Sequence, residues 1–325
     1  MYIGRFAPSP TGSLHLGSLL AAVGSFLDAR ACGGRWLVRM EDLDRTRVVP
    51  GSADEMLRTL EAFGLLWDGE VEYQSRRTHL YGEALESLRA AGRTFECSCS
   101  RRELSIEEAP LPTRSAPAAR SPEGVGWLRE TGYPGTCREG PRKPGDTATR
   151  FRVDETETLA FDDRFQGSTA LAMGPLGDVI VRRRDGIFAY QLAVVVDDAL
   201  QGITDVVRGA DLLESTGWQV ALQRALRLPT PRYAHLPLLL ERTGEKLSKS
   251  RRSAAVDAGG GAGSELLGVL RLLGLSPPEE LAGATPAALL DWAASVWGER
   301  PLPLARELIL AQPASTSRIE RRMRP

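Results

Sequence analysis

A strand, a helix and a second strand follow one another within the first forty residues, and this succession constrains the fold most. Residues 2–6 and 35–40 are short, largely apolar runs typical of strands. The apolar residues between them recur at the spacing of one helix face: Leu19, Leu20, Val23, Phe26 and Leu27. Strands joined through a helix pair in parallel with a right-handed crossover. The sequence therefore predicts an α/β fold built on a parallel sheet.

A similar alternation returns after Gly177 and ends in the apolar stretch 233–240. Only the run 189–200 stays open between helix and strand, because its centre, residues 192–196, is apolar without interruption. We therefore expect a Rossmann-like, doubly wound parallel sheet, split by an insertion and followed by a small helical C-terminal region. The expected limits are 1–95 and 170–240 for the nucleotide-binding catalytic domain, 96–169 for the insertion, and 241–325 for the C-terminal region.

Composition excludes several classes of protein. The 325 residues are 42% hydrophobic and carry a formal net charge of −1, so any contact with nucleic acid must come from local basic patches. No apolar run approaches the ~20 residues of a membrane span, and the first residues do not resemble a signal peptide. We expect a cytoplasmic protein that is monomeric and has no membrane partner.

The cysteines are too few and too unevenly spaced for a disulfide framework. Cys97 and Cys99 are one residue apart, and Tyr133 and Cys137 follow within the insertion. Three thiols and a phenol could surround one tetrahedral zinc ion, but tyrosine is an unusual ligand, so composition alone leaves the fourth ligand open. Cys32 is expected to be inert.

Two short segments have the chemistry of a phosphate site. Gly12, His15 and Gly17 stand at the start of the first helix, where free N–H groups and the helix dipole favour an anion. In the segment 245–250, Lys246 and Lys249 are mobile cations suited to a polyphosphate. Each segment taken alone is more typical of an ordinary surface loop.

Together, the segments PSPTGSLHLG (8–17) and KLSKS (246–250) resemble the HIGH and KMSKS signatures of class I aminoacyl-tRNA synthetases, in the form found in glutamyl-tRNA synthetases. The resemblance extends through RMEDLD (39–44), residues 185–198 and VVRGADLL (206–213), and so covers most of residues 3–250. Ser18 stands where the signature has its second histidine.

The resemblance assigns roles to individual residues. The residues expected to be catalytic are His15, Lys246 and Lys249. The residues expected to bind ATP are His15, Gly17 and Lys249, and magnesium is expected to accompany the ATP. The residues expected to bind L-glutamate are Arg5, Phe6, Ala7, Pro8, Ser9, Glu41, Tyr190 and Arg208. The charges suit this substrate, because its ammonium needs an anion and its side-chain carboxylate needs a cation.

The CxC and YxxxC pattern resembles a shortened branch of the same family, in which those four residues hold a structural zinc ion. This implies that Cys97, Cys99, Tyr133 and Cys137 are the ligands. Members of this branch attach glutamate to queuosine in the anticodon loop of tRNA(Asp). Because only 75 residues follow Ser250, we expect no anticodon-reading domain and activation of glutamate without tRNA. Two alternatives are a truncated synthetase that charges a tRNA 3′ end and a silent tRNA-binding paralogue.

Overall fold

The computed structural model describes residues 1–100, 103–104, 132–240, 255–257, 259–299 and 307–309. In chain order, the strands are β1 (Ile3–Phe6), β2 (Arg35–Met40), β3 (Glu72–Tyr73), β4 (Thr94–Cys97), β5 (Ala148–Phe151), β6 (Thr158–Asp163), β7 (Gly167–Ala172), β8 (Val179–Arg182), β9 (Asp205–Gly209), β10 (Arg232–Leu236), β11 (Leu238–Leu240) and β12 (Glu307–Ile309). The helices are α1 (Leu16–Ala31), α2 (Ser52–Ala62), α3 (Thr78–Ala90), α4 (Met173–Leu176), α5 (Tyr190–Leu200), α6 (Ser215–Leu226), α7 (Ala262–Leu272) and α8 (Pro286–Val296).

Parallel strands form the centre of the fold. Strand β1 pairs in parallel with β2, and β9 pairs in parallel with β10. The Thr204 backbone N–H donates to the Ile3 carbonyl at 2.9 Å, which connects β1 to the start of β9. Ligands of such sheets bind beyond the carboxyl ends of the strands. This geometry brings the residues that follow β1, β2 and β9 to one edge.

A separate antiparallel sheet carries the cysteine segment. Its strands lie in the order β4, β5, β8, and Cys97 is the last residue of β4. Strand β6, by contrast, pairs in parallel with β10 and in antiparallel with β7. The segments around the insertion therefore contribute to two sheets, and the limits given above for the separate domains stay a prediction.

Two apolar clusters form the core on either side of the parallel strands. One contains α1 and the C-terminal helices α7 and α8, and the other contains α3, α5 and α6. Helix α5 is buried over most of its length, from Leu192 to Asp198. Burial on all sides explains why its sequence shows no polar face.

The predicted α/β fold with parallel strands is confirmed, and the run 189–200 that the sequence left open is helix α5. The insertion segment 105–131, the lysine segment 241–254 and the tail 310–325 lie outside the described residues. Within the described part of the chain, no helix combines the length and the apolar character needed to cross a membrane.

Candidate active site and thiol cluster

The ends of β1 and β2 are joined directly. The backbone N–H of Glu41, the first residue after β2, donates to the Pro8 carbonyl at 2.9 Å. Phe6 closes β1 and turns into the core, where its ring stacks on Trp36 at 6.3 Å between centroids. Residues 7–9 and Glu41 therefore lie together at the carboxyl edge of the sheet.

Arg5 is held by an acidic residue that the sequence reasoning missed. Its guanidinium donates from Nε to Asp198 Oδ1 at 3.2 Å and from Nη2 to Asp198 Oδ2 at 3.3 Å. Arg39 donates to the same carboxylate at 2.8 Å. All three side chains are buried. Asp198 thus compensates part of the charge of two arginines and fixes their positions.

Glu41 has a buried carboxylate oxygen that accepts no hydrogen bond from the described residues. Its side chain is 10% exposed, and its Oε1 atom accepts no hydrogen bond within the described residues. Burial raises the pKa of Glu41 to about 7, although the charges of Arg39 and Arg5 oppose this shift. Arg39 Nη2 lies 3.7 Å from this oxygen, close enough for an ion pair but without a hydrogen bond. A buried carboxylate oxygen that accepts no hydrogen bond is costly, so it is suited to a cationic group of a ligand.

Arg208, at the carboxyl end of β9, is a buried cation. Its side chain is only 5% exposed. Within the described residues, the acceptors of its hydrogen bonds are all neutral: His235 Nε2, Tyr190 Oη, Gln219 Oε1, Thr216 Oγ1 and the Leu212 carbonyl. A buried cation surrounded by neutral acceptors attracts an anion from solution.

Tyr190 lies between these charged groups at the start of α5. Burial raises the pKa of its phenol, the charges of Arg208 and Arg5 oppose this shift, and those of Glu41 and Asp198 add to it. The Arg208 Nη1 atom lies 3.4 Å from the phenol oxygen. The structure therefore brings Arg5, Glu41 and Arg208 close to Tyr190, and their role in binding glutamate stays a prediction.

His15 caps helix α1. Its Nδ1 atom accepts from the Ser18 backbone N–H at 3.1 Å, so a neutral ring carries its proton on Nε2, which is 3.1 Å from Ser18 Oγ. A Cβ at Gly17 would come within 3.2 Å of the ring, so glycine lets the imidazole lie against the helix. Gly12 has a φ of 140°, which side chains disfavour.

The chain that follows the lysine segment returns to this helix start. The Val256 backbone N–H donates to the Leu14 carbonyl at 3.0 Å, and Ala255 forms an antiparallel bridge with His15. Lys246 and Lys249 themselves lie outside the described residues. The contacts with the helix start are thus made by Ala255 and Val256, which follow that segment in the chain.

Three of the four cysteines cluster in the small antiparallel sheet. The Sγ atoms of Cys97, Cys99 and Cys137 all lie within 4.8 Å of one another. The Tyr133 hydroxyl lies 3.5 Å from Cys97 Sγ and 3.7 Å from Cys99 Sγ. Cys32 is exposed and outside the cluster. Such a set of soft ligands could bind a metal ion.

The environments of two of these thiols differ, because burial raises the pKa of Cys99 to about 11 whereas Cys137 is activated. Burial opposes ionisation of Cys137, but hydrogen bonds from the backbone N–H groups of Arg142 and Ser98 lower its pKa to about 6. Metal ligation requires a thiolate. Burial and the neighbouring thiols raise the pKa of the Tyr133 phenol, which keeps it neutral when no cation is present.

Three further residues shape the site and were missed from the sequence: Arg39, Asp198 and His235. A signal existed for two of them, because Asp198 closely follows the apolar run 192–196 and His235 lies inside the apolar stretch 233–240. A charged or polar residue in a buried run needs a partner. The sequence could not identify that partner.

Comparison with known proteins agrees with the site. Residues 3–284 match the family model for the catalytic domain of class I tRNA synthetases of the E and Q type. A protein of Thiobacillus denitrificans named "Glutamyl-Q tRNA(Asp) synthetase" is 51% identical over 315 residues, covering 96% of this chain and 98% of that protein. Proteins of the same name from Geobacter sulfurreducens and Pseudomonas aeruginosa are 49% and 48% identical, covering 96% and 93% of this chain and 96% and 95% of their own lengths.

A solved structure shows the same fold. The glutamate tRNA ligase of Elizabethkingia meningosepticum, solved in complex with its amino acid, matches with a TM-score of 0.72 at 24% sequence identity. The match covers 94% of this chain and 66% of the ligase, so the chain spans about two thirds of that enzyme's length. The chain belongs to the class I tRNA synthetase family of the E and Q type.

Proposed function

We propose that the protein activates glutamate with ATP and transfers it to queuosine, the modified base at the first anticodon position of tRNA(Asp). The binding of glutamate is supported by two buried charged side chains, Arg208 and Glu41, whose charges are not fully compensated by the described residues around them. Within the described residues, the guanidinium of Arg208 donates only to neutral acceptors, and the Glu41 Oε1 atom accepts no hydrogen bond, its ionic neighbour Arg39 Nη2 being 3.7 Å away. A glutamate molecule offers a carboxylate to the first and an ammonium to the second.

The segment after β1 completes the glutamate site. Arg5 would meet a second carboxylate of the substrate, since Asp198 shares its charge with Arg39. Tyr190 would donate a further hydrogen bond from its phenol. The predicted glutamate-binding residues Arg5, Phe6, Ala7, Pro8, Ser9, Glu41, Tyr190 and Arg208 are retained in this proposal.

Activation needs few catalytic groups, because the substrate carboxylate is itself the nucleophile. It attacks the α-phosphorus of ATP, forms the mixed anhydride and releases pyrophosphate. ATP would enter with its magnesium ion as part of the substrate. His15 Nε2–H would donate to a phosphate oxygen as charge develops, and Gly17 would let the ATP approach the helix start. Lys246 and Lys249 would offset the polyphosphate charge.

The recipient is proposed from relatives that are about half identical over nearly their whole length and are named for tRNA(Asp). A hydroxyl of the queuosine ring would attack the mixed anhydride and release AMP. Unstacked bases of an anticodon loop suit recognition by a protein cleft. The insertion 96–169 is proposed to contact this loop. The proposed substrates ATP and tRNA imply a cytoplasmic protein, and we propose that the protein acts as a monomer.

We further propose zinc as the ion of the thiol cluster. Tetrahedral zinc with bonds of ~2.3 Å to sulfur places its thiolates roughly 3.8 Å apart. The observed Cys99 to Cys137 separation of 3.5 Å is close to this value. Cys97, Cys99, Cys137 and Tyr133 would hold the ion. Zinc would supply a structural crosslink between β4 and the segment 133–137.

The first experiment measures glutamate-dependent exchange of pyrophosphate into ATP without any tRNA. We expect exchange with glutamate and little with glutamine. The second supplies radioactive glutamate and a set of purified tRNAs, and locates the label by nuclease digestion. We expect label only at queuosine of tRNA(Asp), and none on tRNA(Asp) that carries guanosine at that position.

Other outcomes would separate the alternatives. Charging of the 3′ end of tRNA(Glu), with none on tRNA(Asp), would overturn the queuosine assignment and leave the activation chemistry intact. Absence of exchange with glutamate, both with and without tRNA, would favour a silent paralogue. A periodate-treated 3′ end should not prevent labelling of queuosine-containing tRNA(Asp), provided that the queuosine diol is protected during treatment.

A further inference from the structure

Behind Arg208 lies a fully buried histidine that the proposed chemistry does not use. His235 is on β10, directly opposite Arg208 of β9 in the strand register, and it is 0% exposed. Its Nε2 atom lies 3.0 Å from Arg208 Nε. On the other side, its Nδ1 atom lies 2.5 Å from Asp163 Oδ2. Asp163, His235 and Arg208 thus form a continuous buried chain.

The contacts fix the position of the imidazole proton. A guanidinium N–H only donates, so His235 Nε2 must accept from Arg208. The proton of the neutral ring is then on Nδ1 and is donated to Asp163. Burial lowers the pKa of His235 to about 4, and the charge of Arg208 adds to this effect against the opposition of Asp163. The ring is therefore neutral near pH 7.

Asp163 is itself firmly held. Its Oδ1 atom accepts from the backbone N–H groups of His235, Phe165 and Gln166 at 3.1, 3.0 and 2.8 Å. Three such bonds stabilise the carboxylate form and fix its orientation. A fixed carboxylate in turn holds the imidazole in one tautomer and one ring orientation.

A neutral acceptor has a particular advantage at this position. A carboxylate against Arg208 Nε would neutralise the cation, and a protonated imidazole would repel it. The neutral imidazole directs the guanidinium and leaves its full charge to a ligand. With Nε held by His235 and Nη2 held 2.8 Å from Thr216 Oγ1, the Nη1 atom donates to Gln219 Oε1 at 2.7 Å and faces the Tyr190 hydroxyl at 3.4 Å.

We propose that His235, oriented by Asp163, is a positioning residue that aims the Arg208 guanidinium at the substrate carboxylate. This inference rests on the proposed binding of glutamate at Arg208. It predicts that the loss of the His235 acceptor impairs glutamate binding through Arg208, whereas ATP binding at the helix start is little affected.

The kinetic test uses pyrophosphate exchange with His235→Phe and His235→Gln. His235→Phe should raise the KM for glutamate on the order of tenfold and change the KM for ATP by less than about twofold. Gln can place an amide oxygen near the position of Nε2, so His235→Gln should restore most of the affinity. The matched control is Tyr233→Phe on the same strand, which removes the hydroxyl that accepts from Gln223 but keeps the ring that lies 5.2 Å from Arg208 Cζ and stacks on His235.

A double-mutant cycle separates positioning from general damage. In an Arg208→Ala background, His235→Phe should raise the KM for glutamate no further. An equal additional increase, or parallel increases in the KM values for glutamate and ATP, would overturn the inference. Failure of the wild-type protein to exchange with glutamate would instead refute the proposed function.

A spectroscopic readout does not depend on activity. The chain has 3 histidines, so 15N NMR of the labelled protein can resolve each ring. The His235 signals, assigned by their loss in His235→Gln, should show at pH 7 that Nδ1 carries a proton and that Nε2 carries none. A ring protonated on Nε2, or on both nitrogens, would overturn the inference even if glutamate activation is confirmed.

Discussion

Glu41 and Arg208 illustrate how single residues acquire function from their surroundings. A glutamate on the surface would be fully ionised at pH 7, whereas burial raises the pKa of Glu41 to about 7. An arginine on the surface would share its charge with water, whereas Arg208 is 5% exposed and has neutral acceptors. Both residues are therefore poised for a ligand with complementary charges.

The pKa of Glu41 leads to a prediction about pH. Only the carboxylate form attracts the substrate ammonium, and a raised pKa removes that form below about pH 7. Between pH 6 and 8, kcat/KM for glutamate should therefore rise about tenfold, since this parameter reports groups of the free enzyme. Steady-state exchange assays across this range measure the profile.

The same profile should flatten in Glu41→Gln, with lower activity at pH 8. The control is Asp44→Asn. Asp44 also lies in the segment after β2, but its carboxylate accepts a hydrogen bond from Arg183. If kcat/KM of Glu41→Gln depended on pH as steeply as that of the wild type, a group other than Glu41 would be responsible for the pH dependence.

Arg208 leads to a prediction about specificity. Arg208→Ala should weaken glutamate binding by about 1–3 kcal/mol, or roughly fivefold to 150-fold in KM, because a charged hydrogen-bonding partner is lost. The preference for glutamate over glutamine should shrink as well. Arg232→Ala is the control, because this arginine on the adjacent strand has a side chain that is 77% exposed and pairs with Asp205. Unchanged discrimination in Arg208→Ala would contradict the assignment.

Sequence reasoning found the residues that touch the substrate in this proposal but missed those behind them. Glu41 and Arg208 lie in recognisable motifs at strand ends. Asp198 contacts Arg5 across 193 positions of sequence, and His235 contacts Asp163 across 72. Such contacts depend on which strands and helices become neighbours, and local periodicity carries no information about that.

At the scale of elements, helix α5 is the clearest example of what the sequence left unsettled. The centre of its sequence, residues 192–196, is apolar without interruption, so helix and strand patterns fit equally well. The structure places Tyr190 in its first turn and Asp197 and Asp198 near its last. One buried helix thereby supplies a residue to the site and the acidic support for Arg5 and Arg39.

The thiol cluster gives a prediction at this scale. Metal analysis of the purified protein should find one zinc ion per chain, and Cys97→Ser combined with Cys99→Ser should abolish it. The melting temperature should fall with the zinc content, because a crosslink in the small antiparallel sheet is lost. Cys32→Ser is the matched control, since this thiol is exposed and distant from the cluster.

Tyr133→Phe examines the fourth ligand separately. Weaker zinc retention against a chelator, at an unchanged content of one ion, would support the phenol as a ligand. Retention equal to that of the wild type would remove Tyr133 from the ligand set and leave the three thiols in place. Full zinc content after loss of both Cys97 and Cys99 would refute the site itself.

At the scale of the whole molecule, a buried acidic residue connects the first helix to the last. Asp28 in the last turn of α1 is 1% exposed and accepts from the Trp297 indole N–H at 2.8 Å. Tyr2 and Arg164 donate to the same carboxylate. The C-terminal helices are thus attached to α1 by a polar contact within an apolar cluster.

Trp297→Phe should therefore destabilise the fold by about 1–3 kcal/mol, because Asp28 loses a donor while it stays buried. Urea unfolding followed by circular dichroism measures this difference. Trp292→Phe on α8 is the control, since its partly buried ring packs against the same cluster, while the hydrogen bonds to Asp28 from the described residues come from Tyr2, Arg164 and Trp297. A larger effect in Trp292→Phe than in Trp297→Phe would show that ring volume, and not the hydrogen bond, holds the C-terminal helices.

The connection between β1 and β9 also has a consequence for synthesis on the ribosome. Ile3 bonds to Thr204, 201 positions later in the chain. At roughly 5–20 residues per second, a ribosome needs about 10–40 s to make the residues between them. During that interval one edge of β1 has no partner strand, and unpaired edges invite pairing with other chains. The earliest strand to emerge is thus among the last to be enclosed, which makes the nascent chain a client for chaperones until β9 emerges.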